Sequence, residues 1–489
     1  MKKAGLRYEK LLIQGGDVLM IGTKATSVKK RDVLIENGII REIYDHGLLD
    51  DQARDAKVID ASNKLVSPGL VNAHTHSPLA LAKGSFDVLD HPRFMWRNQA
   101  DTANRTPREI YLSTLLSAIE MINSGTTSVI DNFPEQNFGK EDIRAVIQAY
   151  SDAGLRANIA LRVFDKEYSD ILPRDPSVMP SELKHAIQQS PLCAHNYEDT
   201  LQTCEWAVER YNNSDNGRIS IMIAPSAPLR CTDEFLKEIA TFVKKKDIGV
   251  HTHLLESKIQ QEISQRVYGQ TIVEHLMDVG LLNSRLSCAH SIWLTEHDID
   301  LMAENWVTVV HCPLSNLKLG SGIAPIIKLY QQGVNVALGT DGASTNDGLN
   351  MLETIKYATV LQRCTGFPIK DWLTAEEMLR IATRNGATAM LKRESIGAIE
   401  KGKKADLVLF NLHSLPFTPM NNVVNHLIYC ATPQAVDSVI VDGAVLMRGG
   451  QLTTIDKYKI MEEARLAWGE IKIRNRALYD FAEHVIEYM

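Results

Sequence analysis

The sequence has no long apolar segment. Nowhere in its 489 residues do eighteen consecutive apolar residues occur, and the basic start, MKKAGLRYEKLLIQGG, has no uninterrupted apolar core. A membrane helix needs about 20 such residues and a secretory signal about 7–15. We therefore expect a cytoplasmic protein without a membrane partner.

Concentrated positive charge and paired cysteines are also missing. The formal net charge is −7 and the longest basic run is KKK at 244–246, which argues against nucleic acid or anionic lipid as a partner. The seven cysteines are odd in number, widely spaced and include no C-x-x-C, as is typical of free thiols in a reducing compartment. We expect a small-molecule substrate and no cysteine-based zinc site.

The apolar pattern divides the chain into three parts. Residues 66–395 contain eight apolar, β-branched runs that alternate with helical periods, as in βα units around a parallel sheet. Strand-and-turn patterns occupy 1–65 and return over 396–455, and a mostly helical tail covers 456–489. We predict an α/β fold: a (β/α)8 TIM-like barrel, a small β-sandwich domain built from both chain ends, and the tail. The proline-rich stretch 173–183 is expected to form a surface lid or rim.

Ionisable side chains occur where four of the eight runs end. The first, fifth, sixth and eighth runs carry them: His74, His76, His253, Glu256, His290 and Asp341. Catalytic groups of a parallel barrel lie at the carboxyl ends of its strands, so we expect these six on one face. A single histidine at a strand end is usually structural, but the joint order and spacing favour one site.

The first H-T-H has the spacing of a pair of metal ligands. Residues i and i+2 of a strand point to the same side, so His74 and His76 can bind one cation while Thr75 faces away. With His253 and Asp341 they offer three nitrogens and one oxygen. This set suits Zn²⁺ and leaves a position for water, and Fe²⁺ and Mn²⁺ are the alternatives.

A second H-T-H offers a rival ligand. His251 lies on the same side of its strand as His253 but deeper, and His253 is the one with a carboxylate, Glu256, just beyond the strand end. We assign His251 a core role. For His311, in VVHCPLSN, lining the site and a structural role are both open.

Five motifs carry a family resemblance: SPGLVNAHTHSP, HTHLLES, CAHSIWL, HCPLSNLKLGSGIAPI and LGTDGASTNDGLNML. On these motifs the chain resembles the amidohydrolase superfamily, in the branch that holds cytosine deaminase, adenosylhomocysteine and methylthioadenosine deaminases and the triazine hydrolases. The segment IGAIEKGKKADLVLF resembles the family's returning β-sandwich strand. The resemblance therefore covers nearly the whole chain.

The resemblance implies one metal ion per chain, held by four of the residues above: His74, His76, His253 and Asp341. The fourth apolar run, RISIMIAP, independently favours a single metal because it offers no lysine or glutamate to bridge a second ion. Zinc lowers the pKa of a bound water from about 15.7 towards about 7. The resemblance also implies a homo-oligomer.

The same resemblance implies roles for three residues. Asp341 is expected to accept a proton from the water, and Glu256 to donate one to a ring nitrogen and then to the leaving amine. His290 is expected to stabilise the oxygen of the tetrahedral intermediate. The predicted activity is metal-dependent hydrolytic deamination of an amino-substituted nitrogen heterocycle, with release of ammonia.

Two departures from the family pattern bear on the substrate. Nucleoside-type deaminases of this branch are similar to one another in a tryptophan followed by a ribose-binding glutamate, and in a histidine after the fourth strand. Here Trp96 stands without the glutamate, and APSAP has Ser226 in place of the histidine. Both departures favour a compact heterocycle or a triazine-like ring over adenosylhomocysteine and methylthioadenosine.

Four residues are candidates for substrate binding. Trp96 is suited to stack on a ring or to fill the core, and Asn132 to bind a ring nitrogen or to cap its strand. Arg162 is suited to an anionic substrate group or to a salt bridge within the barrel. Ser226 occupies the position of the missing histidine.

Two other functions compete with deamination. A triazine-type chlorohydrolase or dealkylaminase on the same scaffold would expel chloride, a thioether or an alkylamine. A metal-free, non-catalytic scaffold would bind partners instead. The presence of all four ligands and both proton-handling residues disfavours the scaffold.

Overall fold

The computed structural model describes most of the chain: residues 5–22, 25–134, 138–166, 181 and 196–489. The lid or rim expected at 173–183 lies outside these residues, Ser181 excepted. Within the described part of the chain, no helix combines the length and apolar character needed to cross a membrane.

Strands occur in three groups along the chain. The first group is β1 (Lys10–Ile21), β2 (Thr26–Glu36), β3 (Ile39–Asp45), β4 (Lys57–Asp60) and β5 (Lys64–Pro68). The second is β6 (Leu70–Thr75), β7 (Thr126–Phe133), β8 (Arg156–Val163), β9 (Ile219–Pro225), β10 (Val250–Leu254), β11 (Leu286–His290), β12 (Thr308–His311) and β13 (Asn335–Leu338). The third is β14 (Leu407–Asn411), β15 (Val436–Val441), β16 (Ala444–Arg448) and β17 (Gln451–Leu452).

Helices connect the strands of the second group and form the tail. The longer α-helices are His91–Thr102, Pro107–Asn123, Lys140–Ala153, Tyr197–Tyr211, Asp233–Lys246, Lys258–Tyr268, Ile272–Asp278, Glu296–Glu304, Pro313–Lys318, Ile326–Gln331, Met351–Leu361, Ala375–Arg380, Lys457–Arg474 and Arg476–Tyr488.

The second group forms a parallel barrel. Strands β6 to β13 pair in chain order, and every residue of β7, β8 and β9 is buried because helices cover the outer face. The ring closes where the N–H of Asp341 donates to the carbonyl of His74 at 3.0 Å. Gly339 permits this approach, since an added Cβ would lie 2.7 Å from the Cβ of His74. The predicted barrel is confirmed.

The first and third groups form one hydrogen-bonded sheet of nine strands. Along its path the strands run β17, β16, β15, β14, β5, β1, β2 and β3, and β4 pairs with β1. The β2–β3 turn meets the β15–β16 turn at two glycines, where a Cβ added to Gly443 would lie 2.6 Å from the Cα of Gly38. The two chain ends therefore build a small β domain, as predicted, from a single sheet folded over its own apolar core.

The helical tail supports one wall of the barrel mouth. Helices Lys457–Arg474 and Arg476–Tyr488 follow the sheet, and the second packs against helix His91–Thr102. The Tyr479 hydroxyl donates to Oδ1 of Asp101 at 3.0 Å across this contact. The tail thus fixes the first helix after β6, which faces the mouth.

Candidate active site

A cavity opens at the carboxyl ends of the barrel strands. Five of the six predicted strand-end residues line it: His76, His253, Glu256, His290 and Asp341. The sixth, His74, lies fully buried at the end of β6. The structure therefore brings all six together.

Four potential ligand atoms face one another at the bottom of the cavity. Oδ1 of Asp341 lies 3.3 Å from Nε2 of His74 and 3.4 Å from Nε2 of His76. Nε2 of His76 lies 3.1 Å from Nε2 of His253. The four predicted ligands fall into two groups whose ligand atoms could hold a metal ion and which share His74: His74, His76 and Asp341, and His74, His253 and His290.

The opposite ring nitrogens of two histidines are held by backbone carbonyls. Nδ1 of His76 lies 3.0 Å from the carbonyl oxygen of Asn132, and Nδ1 of His253 lies 2.6 Å from that of Ser226. A carbonyl only accepts, so each Nδ1 carries the hydrogen. The lone pair of each Nε2 therefore faces the centre of the site.

A buried chain of side chains orients His74 in the same way. Nδ1 of His74 lies 2.7 Å from Nε2 of His251, and Nδ1 of His251 lies 2.7 Å from the Ser287 hydroxyl, which donates to the carbonyl of Val250 at 3.2 Å. Burial lowers the pKa of His74 to about 4 and that of His251 well below its usual value, so both rings are neutral. His251 is buried, as predicted, and it also sets the tautomer of His74.

These lone pairs fit a metal ion. Nε2 of His74 is buried and makes no hydrogen bond to any described residue. Nε2 of His76 and Nε2 of His253 meet at 3.1 Å although neither carries a hydrogen in the arrangement above. A divalent cation converts these mutually repelling lone pairs and the nearby carboxylate into a ligand set. The donor types and their burial therefore match the predicted metal centre.

Asp341 is held as an ionised carboxylate. Its Oδ1 accepts from the N–H of Gly342 at 2.7 Å, and its Oδ2 accepts from the hydroxyls of Ser315 and Thr345 at 2.5 and 3.1 Å. Burial acts to raise the pKa of this carboxyl, but His74 and the other nearby histidines hold it well below its usual value. An ionised oxygen therefore faces the three imidazoles.

Left-handed backbone conformations occur at the ends of three strands of the site. Leu255, His290, Ser291 and Asp341 have φ values of 48°, 70°, 51° and 62°, in the left-handed region. Each such residue other than glycine costs about 1–3 kcal/mol and persists where its surroundings impose it. Of these four residues, His290 and Asp341 line the cavity.

His290 and Glu256 form a second group beside the ligand atoms. Nδ1 of His290 lies 2.8 Å from Oδ1 of Asn316, and its Nε2 is buried without a hydrogen bond to a described residue. Oε2 of Glu256 lies 3.6 Å from this Nε2. His290 thus keeps one ring nitrogen for a water or substrate atom.

His91 also belongs to this group, and the sequence interpretation missed it. Its Nε2 lies 3.1 Å from Oε2 of Glu256. Burial acts to lower the pKa of His91, but the neighbouring Glu256 carries it above the usual value. Burial acts to raise the pKa of Glu256, yet His290 and His91 bring it below the usual value. The sequence signal for His91 was weak, because it is a single histidine in the segment DHPRF at the start of a helix.

Two of the four candidate substrate-binding residues line the cavity. They are Arg162 and Ser226, and Nε of Arg162 donates to the hydroxyl of Ser226 at 3.0 Å. Both side chains are buried at the ends of β8 and β9. They form the part of the cavity wall that follows the fourth barrel strand, where the nucleoside-type pattern has a histidine.

The other two candidates lie elsewhere. Trp96 is 1% exposed, is not among the cavity-lining residues, and packs edge-on against Phe481 of the tail at 6.1 Å between ring centres. Asn132 contributes its carbonyl to His76, while its side chain is buried away from the cavity lining. The core alternative describes Trp96, whereas the Asn132 side chain makes no hydrogen bond to a described residue and therefore does not cap its strand.

His311 lies outside the cavity lining as well. It is buried at the end of β12, and burial lowers its pKa to about 3, with His290 adding to the effect. Its placement matches the structural alternative.

Comparison with known proteins identifies the family of this chain. The model of the amidohydrolase family matches residues 65–446. The chain belongs to the amidohydrolase family. The 5′-deoxyadenosine deaminase of Methanothermobacter thermautotrophicus is 35% identical over 466 residues, which are 95% of this chain and 99% of that protein.

Further relatives agree with this family assignment. The 5-methylthioadenosine/S-adenosylhomocysteine deaminase of Caldanaerobacter subterraneus is 35% identical, covering 88% of this chain and 92% of that protein. An adenosine deaminase from Xanthomonas campestris, solved with bound zinc, has a TM-score of 0.82 at 29% identity, covering 95% and 98% of the two chains. An atrazine chlorohydrolase from Arthrobacter aurescens has a TM-score of 0.84 at 22% identity, covering 94% and 100%, and shows the shared fold.

These matches confirm the family, the fold and the class of reaction that the sequence predicts. The chain is an amidohydrolase-family enzyme whose chemistry is metal-dependent hydrolytic deamination, a cleavage of carbon–nitrogen bonds other than peptide bonds. The roles of individual site residues and the native metal stay predictions.

Proposed function

We propose that this enzyme deaminates an amino-substituted nitrogen heterocycle at one metal centre held by His74, His76, His253 and Asp341. One observation carries the proposal: three histidine lone pairs and an ionised carboxylate converge at the closed end of a cavity. A bound divalent metal lowers the pKa of water to about 7 and thereby supplies a nucleophile at neutral pH.

Three residues handle protons and charge in this proposal. Asp341, ionised beside the ligand nitrogens, accepts a proton from the attacking water. Glu256, an ionised carboxylate on the cavity wall, takes one proton from the water and delivers it to the ring nitrogen; it then passes the second proton, the one held by Asp341, to the amino group, which leaves as ammonia. His290 directs its unbonded Nε2 to the oxygen that develops charge during attack.

The relatives narrow the substrate class. Proteins 35% identical to this chain are named for 5′-deoxyadenosine and for 5-methylthioadenosine or S-adenosylhomocysteine, so adenine derivatives come first among the substrates to test. The wall formed by Arg162 and Ser226 differs from the nucleoside-type pattern, which supports a compact ring as the substrate.

Three finer features belong to the same proposal. Zinc is the native metal, which the zinc bound in the Xanthomonas campestris relative supports. The protein is cytoplasmic, which the cysteine pattern supports. It is a homo-oligomer, which the family resemblance supports.

The test is ammonia release from a panel of heterocycles by zinc-loaded protein. The panel contains 5′-deoxyadenosine, methylthioadenosine, adenosylhomocysteine, free purines, pyrimidines, pterins, and amino- and chlorotriazines. We expect ammonia from at least one aminated ring, loss of this activity after chelation, and its return with zinc. A His76→Ala variant, purified in parallel, controls for contaminating enzymes and should be inactive. Chloride release without ammonia release would replace the proposal with the triazine-type alternative.

A further inference from the structure

His91 stands on a rigid part of the cavity wall. It is the first residue of helix His91–Thr102, whose N-terminus is capped by Asp90, with the Asp90 side chain accepting the N–H of Arg93 at 3.2 Å. Pro92 fixes the backbone of the first turn. The far end of the helix is held by the tail through Tyr479. The ring of His91 is 15% exposed and lines the cavity.

His91 contacts one oxygen of the proposed proton carrier. Its Nε2 lies 3.1 Å from Oε2 of Glu256, and Nε2 of His290 approaches the same oxygen at 3.6 Å. An ionised carboxylate only accepts hydrogen bonds, so Nε2 of His91 is the donor. The imidazoles of His91 and His290 therefore both lie next to Oε2 of Glu256, so that Oε1 remains available to the substrate.

The backbone of Glu256 is fixed, but its side chain depends on such contacts. Its N–H donates to Oε1 of Gln260 at 2.8 Å, and the preceding Leu255 has a φ of 48°. A glutamate retains three rotatable side-chain bonds, whereas proton transfer needs its oxygen within about 2.6–3.2 Å of the acceptor. A hydrogen bond from a rigid helix removes this freedom.

We propose that His91 is a positioning residue that fixes the carboxylate of Glu256, so that Oε1 points at the substrate nitrogen while Oε2 stays hydrogen-bonded. This inference rests on the proposed function of Glu256. It adds to the site a residue from the first loop and helix after β6, outside the strand ends that carry the other six residues.

The kinetic test compares His91→Phe, which keeps a ring and removes the donor, with His91→Gln, whose amide can donate near the position of Nε2. We expect His91→Phe to lower kcat by about 10–100-fold with little change in KM, the range found when a supporting hydrogen bond to an active-site group is lost. His91→Gln should recover most of the loss. Metal content should be that of the wild type in both variants.

The matched control is His297→Phe. His297 is also paired with a glutamate, Glu274, at 3.5 Å, but its side chain is 62% exposed. We expect wild-type kinetics from this variant. Unchanged kcat in His91→Phe would overturn the proposal, as would equal losses in the Phe and Gln variants accompanied by loss of metal.

A second measurement separates this inference from the proposed function. In zinc-loaded full-length protein labelled with ¹⁵N-histidine, the His91 imidazole signals are assigned by their absence from His91→Phe. We expect these signals to shift in Glu256→Gln, because the hydrogen bond then meets a neutral amide. If the wild type deaminates no heterocycle, the proposed function fails and this shift alone decides the pairing; no shift would overturn the role of His91.

Discussion

Buried carboxylates occur in the sheet built from the chain ends and at the barrel mouth, but their partners differ. In the sheet, Asp32 accepts from the N–H groups of Gly15 and Gly47 at 2.6 and 3.0 Å, and it meets Nδ1 of His46 at 2.9 Å. Each of these partners of Asp32 is a hydrogen-bond donor that belongs to the protein itself. Asp32 is therefore satisfied without a ligand.

The junction between the sheet and the barrel follows the same rule. Asp406, just before β14, accepts two hydrogen bonds from the guanidinium of Arg156 at 2.7 and 3.0 Å and one from the N–H of Asp442 at 2.8 Å. Arg156 and Asp406 are each 2% exposed at the side chain. This ion pair connects the amino-terminal end of strand β8 in the barrel to the sheet.

At the barrel mouth, two buried ring nitrogens instead make no hydrogen bond within the described part of the chain. These are Nε2 of His74 and Nε2 of His290, whereas Nδ1 of each ring is held by a neighbouring side chain. The carboxylates of the sheet and junction and the histidines of the mouth therefore use their buried polar atoms differently. Asp32 and Asp406 use their hydrogen-bonding capacity within the chain, whereas His74 and His290 each keep one ring nitrogen for a ligand.

The largest expected effect is on catalysis at the mouth. Glu256→Gln removes the proton carrier without removing a proposed metal ligand, so kcat should fall by about 10²–10⁴-fold while bound metal is retained. Steady-state kinetics and elemental analysis measure the two quantities. Glu262→Gln, at an exposed position nearby, is the matched control and should behave like the wild type. Undiminished kcat in Glu256→Gln would end the proton-carrier assignment.

The next effect is on stability at the junction. Arg156→Met leaves the Asp406 carboxylate buried without its cation and should lower the free energy of unfolding by about 3–5 kcal/mol. Urea titration followed by circular dichroism measures the change. The double variant Arg156→Met/Asp406→Leu removes both charges and should recover most of the loss. If the single variant were as stable as the wild type, the junction would not depend on this pair.

A smaller effect is expected from the chain behind His74. Ser287→Ala removes the acceptor for Nδ1 of His251 and should weaken zinc binding by about 10–100-fold. Competition with a chromophoric chelator measures the affinity. Ser438→Ala, at a buried serine of the sheet, is the control and should bind zinc normally. Equal affinities for all three proteins would show that the chain does not act on the metal site.

The smallest effect is a pH dependence in the sheet. Burial acts to raise the pKa of Asp32, but hydrogen bonds from Gly47, His46 and Gly15 bring it below its usual value of 3.8. A lowered folded-state pKa gives stability that is present above the unfolded-state value and is lost as pH falls through the folded-state value. Acid unfolding of Asp32→Asn should therefore depend less on pH below about 4 than that of the wild type. Parallel profiles would contradict this assignment.

The sequence predicted the barrel and the strand-end residues because both follow from local patterns. Runs of β-branched residues predict strands, and the carboxyl ends of parallel strands meet, so His253 and Asp341 were brought together without knowledge of the packing. His91 escaped prediction because its contact with Glu256 depends on the path of a loop and the direction of a helix. The spacing of residues in a short sequence motif predicts neither the path of this loop nor the direction of this helix.

At two further positions, the type of side chain alone does not predict the role of the residue. Trp96 lies on the helix that faces the mouth, but its indole points to the tail, and tertiary packing decided which face it took. Asn132 serves His76 through its backbone carbonyl, a group that every residue carries. No sequence pattern identifies such a role.

Anomalous diffraction from crystals of the zinc-loaded protein tests the central claim most directly. The account predicts one strong zinc peak per chain, within bonding distance of Nε2 of His74, His76 and His253 and of a carboxylate oxygen of Asp341. Zinc at another place, or no peak among these four side chains after loading, would contradict it.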